Sequence, residues 1–278
     1  MGTGQQEIAL KVEQAAMASM RALYIAAPSS VATELRLDLL DIGSTLVARS
    51  AVWNTPHVNR IFGLGVMEAA NEALLDELAT FFQTAGVRYA LGLSPIARPS
   101  ELAQWLTTRG FVHMNNTAVL HRSVEPLQSQ TALRIECIDS TSAMTFAALL
   151  LEAFPLPQFF GSWLAATVGR AERRHYLAFD GATPVAAAMM FLHEKVGVLE
   201  FAATLESHRQ QGAQRALIAR RIQDAAALGC TLVVTTTEED TLENPSRSFR
   251  NLQKAGFQVT YLRPDYLSPP IEELGKAA

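Results

Sequence analysis

A short loop at 209–215 carries the residue types and spacing best suited to bind an anion. Its ends are Arg209 and Arg215, it contains one glycine, Gly212, and three glutamines lie between them. A loop that leads directly into a helix directs unpaired backbone N–H groups and the positive end of the helix dipole towards one point, which suits a phosphate or pyrophosphate. Glycine has no side chain, so a ligand could approach the backbone closely there. Taken alone, the loop is equally consistent with a solvated helix start that contains a turn glycine.

The elements that must position this loop are visible in the flanking sequence. Residues 196–203 are apolar except for Glu200 and predict a strand before the loop, and residues 211–228 carry apolar side chains at helical spacing after it. Further along, the pattern predicts a β-branched strand at 232–237, an acidic loop at 238–243, a helix at 246–255 and a last strand at 257–263. The loop therefore lies where a strand passes directly into a long helix.

Two motifs at a characteristic separation are more specific than the loop alone. They are Arg-Gln-Gln-Gly-Ala-Gln at 209–214 and Ser-Phe-Arg-Asn-Leu-Gln-Lys-Ala-Gly-Phe at 248–257. Together with the order of the elements, they resemble the GNAT family of N-acetyltransferases over residues 132–265. The chain departs from the family pattern at Gln214, where Gly or Ala is usual, and at Leu252, where many members carry a tyrosine acid.

The resemblance implies transfer of an acetyl group from acetyl-CoA, used as a co-substrate, to an amine by direct attack. Backbone N–H groups of 211–215 would hold the pyrophosphate, and the strand at 203–205 would pair with the amide arm of pantetheine. The Leu205 N–H would then stabilise negative charge that develops on the thioester oxygen. The residues that the resemblance assigns to acetyl-CoA binding are Ala203, Thr204, Leu205, Arg209, Gln210, Gln211, Gly212, Ala213, Gln214, Arg215, Asn244, Ser248 and Asn251.

Proton transfer in this reaction needs a base for the attacking amine and an acid for the leaving thiolate. Glu200 is the candidate base, because it is a carboxylate in the strand before the loop and alternation puts it on the face of Ala202 and Thr204. A surface ion pair with Lys195 or a nearby arginine explains Glu200 equally well. Tyr261 and Tyr266 are the candidates to replace the absent tyrosine acid, and a role as a core aromatic in the last strand is the alternative for Tyr261.

The acceptor is less well defined by the residues. Glu200, Glu206 and the acidic run 238–243 favour a cationic acceptor, and the aromatic segment 154–160 favours one with an apolar body unless it is a plain core segment. A non-catalytic acyl-CoA-binding or regulatory module is the alternative function, which the departure at Leu252 supports. The identity of the acceptor and the length of the donor acyl group do not follow from the sequence.

A polar segment at 126–131 separates two predicted domains, 1–125 and 132–278. In the second, antiparallel strands joined by an Asp-Gly turn at 180–181 precede the strand–helix–strand unit. This order predicts an α/β (α+β) fold in which helices flank a mixed, mostly antiparallel GNAT-like sheet.

The first domain shows a weaker version of the same order. Gly63 and Gly65 precede a helix at 68–85, and a strand at 89–93 follows it. The cationic residue and the central glycine of the other loop are missing here. We therefore predict a degenerate GNAT-like N-terminal domain, with an unrelated helical cap as the alternative.

Composition indicates a well-packed globular protein, since 49% of residues are hydrophobic and 18% are charged. The net charge of −4 predicts neither nucleic-acid binding nor attraction to an anionic membrane. Cys137 and Cys230 lack metal-ligand spacing, so no metal site is predicted, and they are too few for a disulfide framework. Without a leader-like N-terminus, a cytoplasmic location is expected. A homodimer is left open.

Overall fold

The structure is a computed structural model, which describes residues 2–154 and 156–271. Pro155, in the predicted aromatic segment, and 272–278, at the end of the predicted second domain, lie outside the described residues. The helices are α1 (Thr3–Ile25), α2 (Ser29–Leu35), α3 (Glu72–Gln83), α4 (Leu102–Thr108), α5 (Ala143–Ala153), α6 (Phe159–Ala165), α7 (Ala213–Ala227) and α8 (Arg247–Lys254). The strands are β1 (Leu37–Ile42), β2 (Thr45–Ser50), β3 (Arg60–Phe62), β4 (Ala90–Gly92), β5 (Val112–Ser123), β6 (Arg134–Ile138), β7 (Arg173–Asp180), β8 (Thr183–His193), β9 (Val196–Thr204), β10 (Leu232–Glu238) and β11 (Gln258–Leu267).

The chain divides into two compact units whose limits differ from the predicted domains. Unit 1 contains residues 2–24, 32–118 and 260–271, and unit 2 contains residues 25–31 and 119–259. Most of β11, the last strand of the predicted domain at 132–278, thus belongs to unit 1. Similarly, the end of β5 belongs to unit 2, although the predicted boundary put all of this strand in the first domain.

Unit 1 has the strand order β1-β2-β3-β4-β11. The β3/β4 pair is parallel, and the pairs β1/β2, β2/β3 and β4/β11 are antiparallel. Helix α3 lies between the two parallel strands in the chain and packs its apolar side on the sheet through Leu75, Leu78 and Phe82. Asn71 caps this helix by accepting a hydrogen bond from the Leu74 N–H. The predicted strand–loop–helix–strand order of this half is confirmed.

The glycine pair of unit 1 does not form an open anion-binding loop. A Cβ on Gly65 would lie 2.6 Å from the carbonyl oxygen of Arg98, and the Arg98 N–H donates to the Gly65 carbonyl at 2.9 Å. The backbone of residue 98 therefore occupies the side of the loop that a side chain or ligand would need.

Unit 2 has the strand order β10-β9-β8-β7-β6, in which β9/β10 is parallel and the other pairs are antiparallel. Helix α7 connects the two parallel strands and buries Leu217, Ile218 and Ile222. On β8 the run Val185–Met190 is fully buried, as expected for a strand covered on both faces. The predicted mixed, mostly antiparallel sheet with flanking helices is confirmed.

Candidate functional site

The two parallel strands of unit 2 are paired over only part of their length. Residues Val196–Leu199 of β9 pair with Leu232–Thr235 of β10, and the hydroxyl of Thr235 donates to the Leu199 carbonyl at 2.9 Å. The last residues of both strands lie beyond this ladder. Ligands of α/β sheets commonly bind at the carboxyl ends of parallel strands, where a crevice opens.

A β-bulge lies in β9 where this ladder ends. Glu200 is opposite Met189 and Ala203 is opposite Ala187, so two residues of β9 face one residue of β8. Within the bulge, Phe201 has a φ of 43°, which is unusual for a residue with a side chain. The extra residue breaks the alternation of sides. Regular alternation therefore does not apply between Glu200 and Thr204, and it cannot place Glu200 on the face of Ala202 and Thr204 as predicted.

The predicted anion-binding loop follows β9. A 3₁₀ turn at Glu206–His208 leads to Gln210, with a φ of 67°, and then to Gly212, with a φ of 82° at the N-cap of α7. The first helical hydrogen bond runs from the Ala216 N–H to the Gly212 carbonyl at 3.0 Å. The N–H groups of the preceding residues of the first turn have no partner inside the helix, so they are available to an anion.

Gly212 packs closely against the chain itself. A Cβ at this position would lie 2.8 Å from the carbonyl oxygen of Gln130 and 3.3 Å from the Cβ of Thr131. From the sequence, Gly212 was predicted to let a ligand approach the backbone closely. In the structure, the side on which a Cβ would stand faces residues 130–131, so a ligand must approach the loop from another direction.

Helix α8 lies on the other side of the loop. Its N-cap Ser246 accepts a hydrogen bond from the Phe249 N–H at 3.2 Å. Asp240 accepts from the Ser246 N–H at 2.7 Å and from Nε of Arg250 at 2.8 Å, and these hydrogen bonds hold the pKa of Asp240 below its usual value. The acidic loop therefore helps to fix the start of α8, a role that the sequence analysis did not foresee.

These elements surround one cavity of about 720 Å³. Its lining residues are Ala153, Phe154, Ala202, Ala203, Thr204, His208, Arg209, Gln210, Gly212, Ala213, Gln214, Arg215, Leu217, Ile218, Arg247, Ser248, Arg250, Asn251 and Lys254. Five of them are Arg or Lys and one is His, and none of these described lining residues is Asp or Glu. Outside this lining, Asp240 pairs with Arg250 and Glu206 pairs with Arg209. The other cations, Arg215, Arg247 and Lys254, leave the cavity suited to an anionic ligand.

The structure brings most of the predicted cofactor residues together at this cavity. Asn251 and Gln214 also contact each other, since the Asn251 amide donates to the Gln214 side-chain oxygen. Leu205, Gln211 and Asn244 are the predicted residues absent from the described lining. The Leu205 N–H donates to the Val185 carbonyl at 2.9 Å, so it is engaged in the sheet and cannot serve as the predicted oxyanion donor.

The two candidate acid–base residues are also outside the described lining. The Glu200 carboxylate accepts from Nη1 of Arg173 at 2.8 Å, and the Arg173 side chain is fully buried. Glu200 thus forms an ion pair with an arginine, as the alternative stated, but this pair is not on the surface, since Arg173 is buried. Tyr261 belongs to unit 1, where its hydroxyl donates to Glu13 at 2.6 Å and burial raises its pKa. That placement matches the alternative of a core aromatic.

Sequence reasoning overlooked several residues of the lining. Arg247, Arg250 and Lys254 come from α8, and His208 comes from the turn before the loop. Positions 247, 250 and 254 are three and four residues apart, which places them on one side of a helix. The spacing of these three cations, Arg247 directly before the second motif and the other two within it, was the signal that could have identified them.

The described residues offer neither a metal site nor a membrane-spanning helix. They contain no cluster of three or more His, Cys, Asp or Glu side chains arranged to hold a metal ion. Among the same residues, every helix is too short or too polar to cross a membrane.

The chain is similar to known acetyltransferases in sequence pattern and in structure. Residues 143–257 match the model of the acetyltransferase (GNAT) family. A GCN5-related N-acetyltransferase from Kribbella flavida has a similar structure, with a TM-score of 0.64 and 16% identity over 94% of this chain and 96% of that chain. One from Sphaerobacter thermophilus has a TM-score of 0.60 and 15% identity over 83% of both chains.

A third similar structure is a tandem GNAT protein from the clavulanic acid biosynthesis pathway. Its TM-score is 0.57 at 12% identity, over 81% of this chain and 82% of that chain. At these identities the three likenesses concern the fold, and they extend well beyond 143–257 into the N-terminal half. No curated protein sequence matches the chain significantly. Residues 143–257 of this chain therefore match the acetyltransferase (GNAT) family, and the chain shares its fold with GCN5-related N-acetyltransferases and a tandem GNAT protein.

Proposed function

We propose that unit 2 binds acetyl-CoA in the 720 Å³ cavity and transfers its acetyl group to an amine. The observation that carries this proposal is the composition of the lining, in which the N-terminal turn of α7 meets six basic residues and no carboxylate. Acetyl-CoA carries a pyrophosphate and a further phosphate, so it supplies the negative charges that such a lining favours.

In this proposal the backbone of the first turn of α7 holds the pyrophosphate. Arg247 and Lys254, on the cavity side of α8, add positive charge for the remaining phosphate. The pantetheine arm runs along Ala202–Thr204, the part of β9 that lines the cavity beyond its ladder with β10. The thioester then lies near the bulge at Phe201, where an extra residue interrupts the ladder with β8.

Direct transfer of the acetyl group from acetyl-CoA to the amine requires no covalent enzyme intermediate. The neutral amine attacks the thioester carbon and the carbon–sulfur bond breaks. The nitrogen loses one proton as the amide forms, and the CoA thiolate takes up one proton, so the products are the amide and free CoA. Because the Leu205 N–H is bonded to Val185, we assign stabilisation of the oxyanion to N–H groups of the bulge, whose extra residue has no counterpart on β8.

Non-catalytic binding of acyl-CoA is the second candidate function. It is favoured by Leu252, which is 5% exposed at the position of the usual tyrosine acid, and by the absence of Glu200 and Tyr261 from the described lining. Both functions require that acetyl-CoA binds, and they differ in turnover.

One pair of assays separates the two. Calorimetric titration with acetyl-CoA should show saturable binding at one site per chain, and release of free thiol should then be followed with a panel of cationic, neutral and aromatic amines. Binding with amine-dependent thiol release supports transfer, and binding without release from any amine supports the second candidate. No binding at millimolar acetyl-CoA would refute both.

A further inference from the structure

The segment 126–131, predicted as a linker, is hydrogen-bonded to the anion-binding loop and packs against it within unit 2. The hydroxyl of Thr131 donates to the carbonyl of Gln211 at 2.8 Å and accepts from the Leu133 N–H at 3.2 Å. The carbonyl of Gln130 occupies the place that a Cβ on Gly212 would need. The segment has no helix or strand of its own, so its position depends on contacts of this kind.

Arg215 makes the second connection between this segment and the loop. Its Nε donates to the carbonyl of Gln128 at 2.8 Å and its Nη1 donates to the carbonyl of Lys254 at 3.0 Å. One guanidinium thereby joins three parts of the site, namely the segment, the first turn of α7 and the end of α8. The planar fork of donors allows both bonds at once, which a lysine ammonium on a flexible chain does less well.

The residues directly before this segment are also held in place. Nη2 of Arg122 donates to the carbonyl of Glu125 at 2.8 Å, and Nη1 of Arg122 donates to the carbonyl of Ala255. Residues 122–131 are therefore tied at one end to the residue after α8 and at the other to the loop before α7. These are the two elements whose backbone and basic side chains line the cavity.

We propose that Arg215 and Thr131 are positioning residues, which fix the anion-binding loop by fastening the 126–131 segment to it. The Arg215 side chain then acts on backbone carbonyls, in addition to the backbone N–H that the resemblance assigns to the pyrophosphate. The N–H groups of the first turn of α7 can bind one anion together only if the loop keeps its φ values at Gln210 and Gly212. The segment contacts the loop at Gly212 and so stabilises this conformation. This inference rests on the proposed function for its ligand, acetyl-CoA.

Charge-neutral and charge-conserving substitutions distinguish positioning from direct binding. Thr131→Val removes the hydroxyl without changing charge, and Arg215→Lys keeps the charge without the fork. We expect both to weaken acetyl-CoA binding in calorimetry by roughly three- to tenfold, the range for loss of a hydrogen bond. Thr131→Ser keeps the hydroxyl and should bind as the wild type does. If Thr131→Val and Arg215→Lys bind as tightly as the wild type, these hydrogen bonds do not position the loop and the proposal is overturned.

A measurement without ligand keeps this test separate from the proposed function. In hydrogen exchange of the free, full-length protein, Thr131→Val and Arg215→Lys should both speed exchange in peptides that cover 126–131 and 211–217. Arg209→Met is the matched control, since it removes a lining cation that forms an ion pair with Glu206 at 3.5 Å, and it should leave these peptides unchanged. Unchanged exchange in the two test variants would overturn the inference, whether or not acetyl-CoA binds.

Discussion

Replacing Gly212 with alanine tests the contact that positions the loop. The glycine has a φ of 82°, and a Cβ there would lie 2.8 Å from the Gln130 carbonyl oxygen. The left-handed conformation costs a residue with a side chain about 1–2 kcal/mol. Displacing well-packed atoms adds roughly 1–3 kcal/mol. We therefore expect Gly212→Ala to lower the free energy of unfolding by about 2–5 kcal/mol.

Gly229, at the other end of the same helix, supplies a matched control. Its φ is 81°, and a Cβ there would meet nothing within 4 Å. Gly229→Ala carries the conformational cost alone, so it should lower the free energy of unfolding by about 1–2 kcal/mol. Urea denaturation of both variants beside the wild type measures the difference between the two losses.

The same pair of variants should differ in ligand binding. Because Gly212→Ala displaces the loop from the 126–131 segment, its Kd for acetyl-CoA should rise, whereas the Kd of Gly229→Ala should stay at the wild-type value. Equal losses of stability in the two variants would refute the close contact with Gln130. An unchanged Kd for Gly212→Ala would refute the assignment of the loop to acetyl-CoA.

Three further predictions follow from unit 2. Burial lowers the pKa of His175 to about 3, so this imidazole is neutral in the fold and protonates near its usual pKa in the unfolded chain. The free energy of unfolding should therefore fall by about 2 kcal/mol from pH 7 to pH 5, and His175→Gln should remove that part of the pH dependence. Ser246→Ala removes the N-cap of α8 and should lower the free energy of unfolding by about 1 kcal/mol in urea denaturation. A chain that starts at residue 126 lacks Val119 and Leu120, which are fully buried, and should lose the near-ultraviolet circular dichroism and cooperative unfolding of the full chain.

Local patterns in the sequence were sufficient to predict the elements around the loop. The helix predicted at 211–228 is observed at Ala213–Ala227, and the helix predicted at 246–255 is observed at Arg247–Lys254. Apolar periodicity and capping residues act over one or two turns, so they can be read without knowledge of the rest of the fold. Ten of the thirteen residues that the family resemblance assigns to acetyl-CoA binding line one cavity.

The remaining features depend on contacts between distant parts of the chain. The prediction that side chains alternate between the two faces along β9 assumes that each residue pairs with one residue of β8. The bulge at Phe201 contains an extra residue, so the assumption fails there. Nothing near Leu205 in the sequence indicates that its N–H pairs with Val185. Similarly, the placement of Tyr261 in unit 1 depends on β11, whose pairing with β4 spans most of the chain.

The central claim is that acetyl-CoA binds between the start of α7 and α8, and hydrogen exchange with and without this ligand tests it most directly. Saturating acetyl-CoA should slow exchange in peptides that cover 202–217 and 247–254, which include most of the cavity lining. Peptides from α3, in unit 1, should exchange at the same rate in both samples. Binding that leaves 202–217 unprotected, or that protects a different part of the chain, would contradict the account.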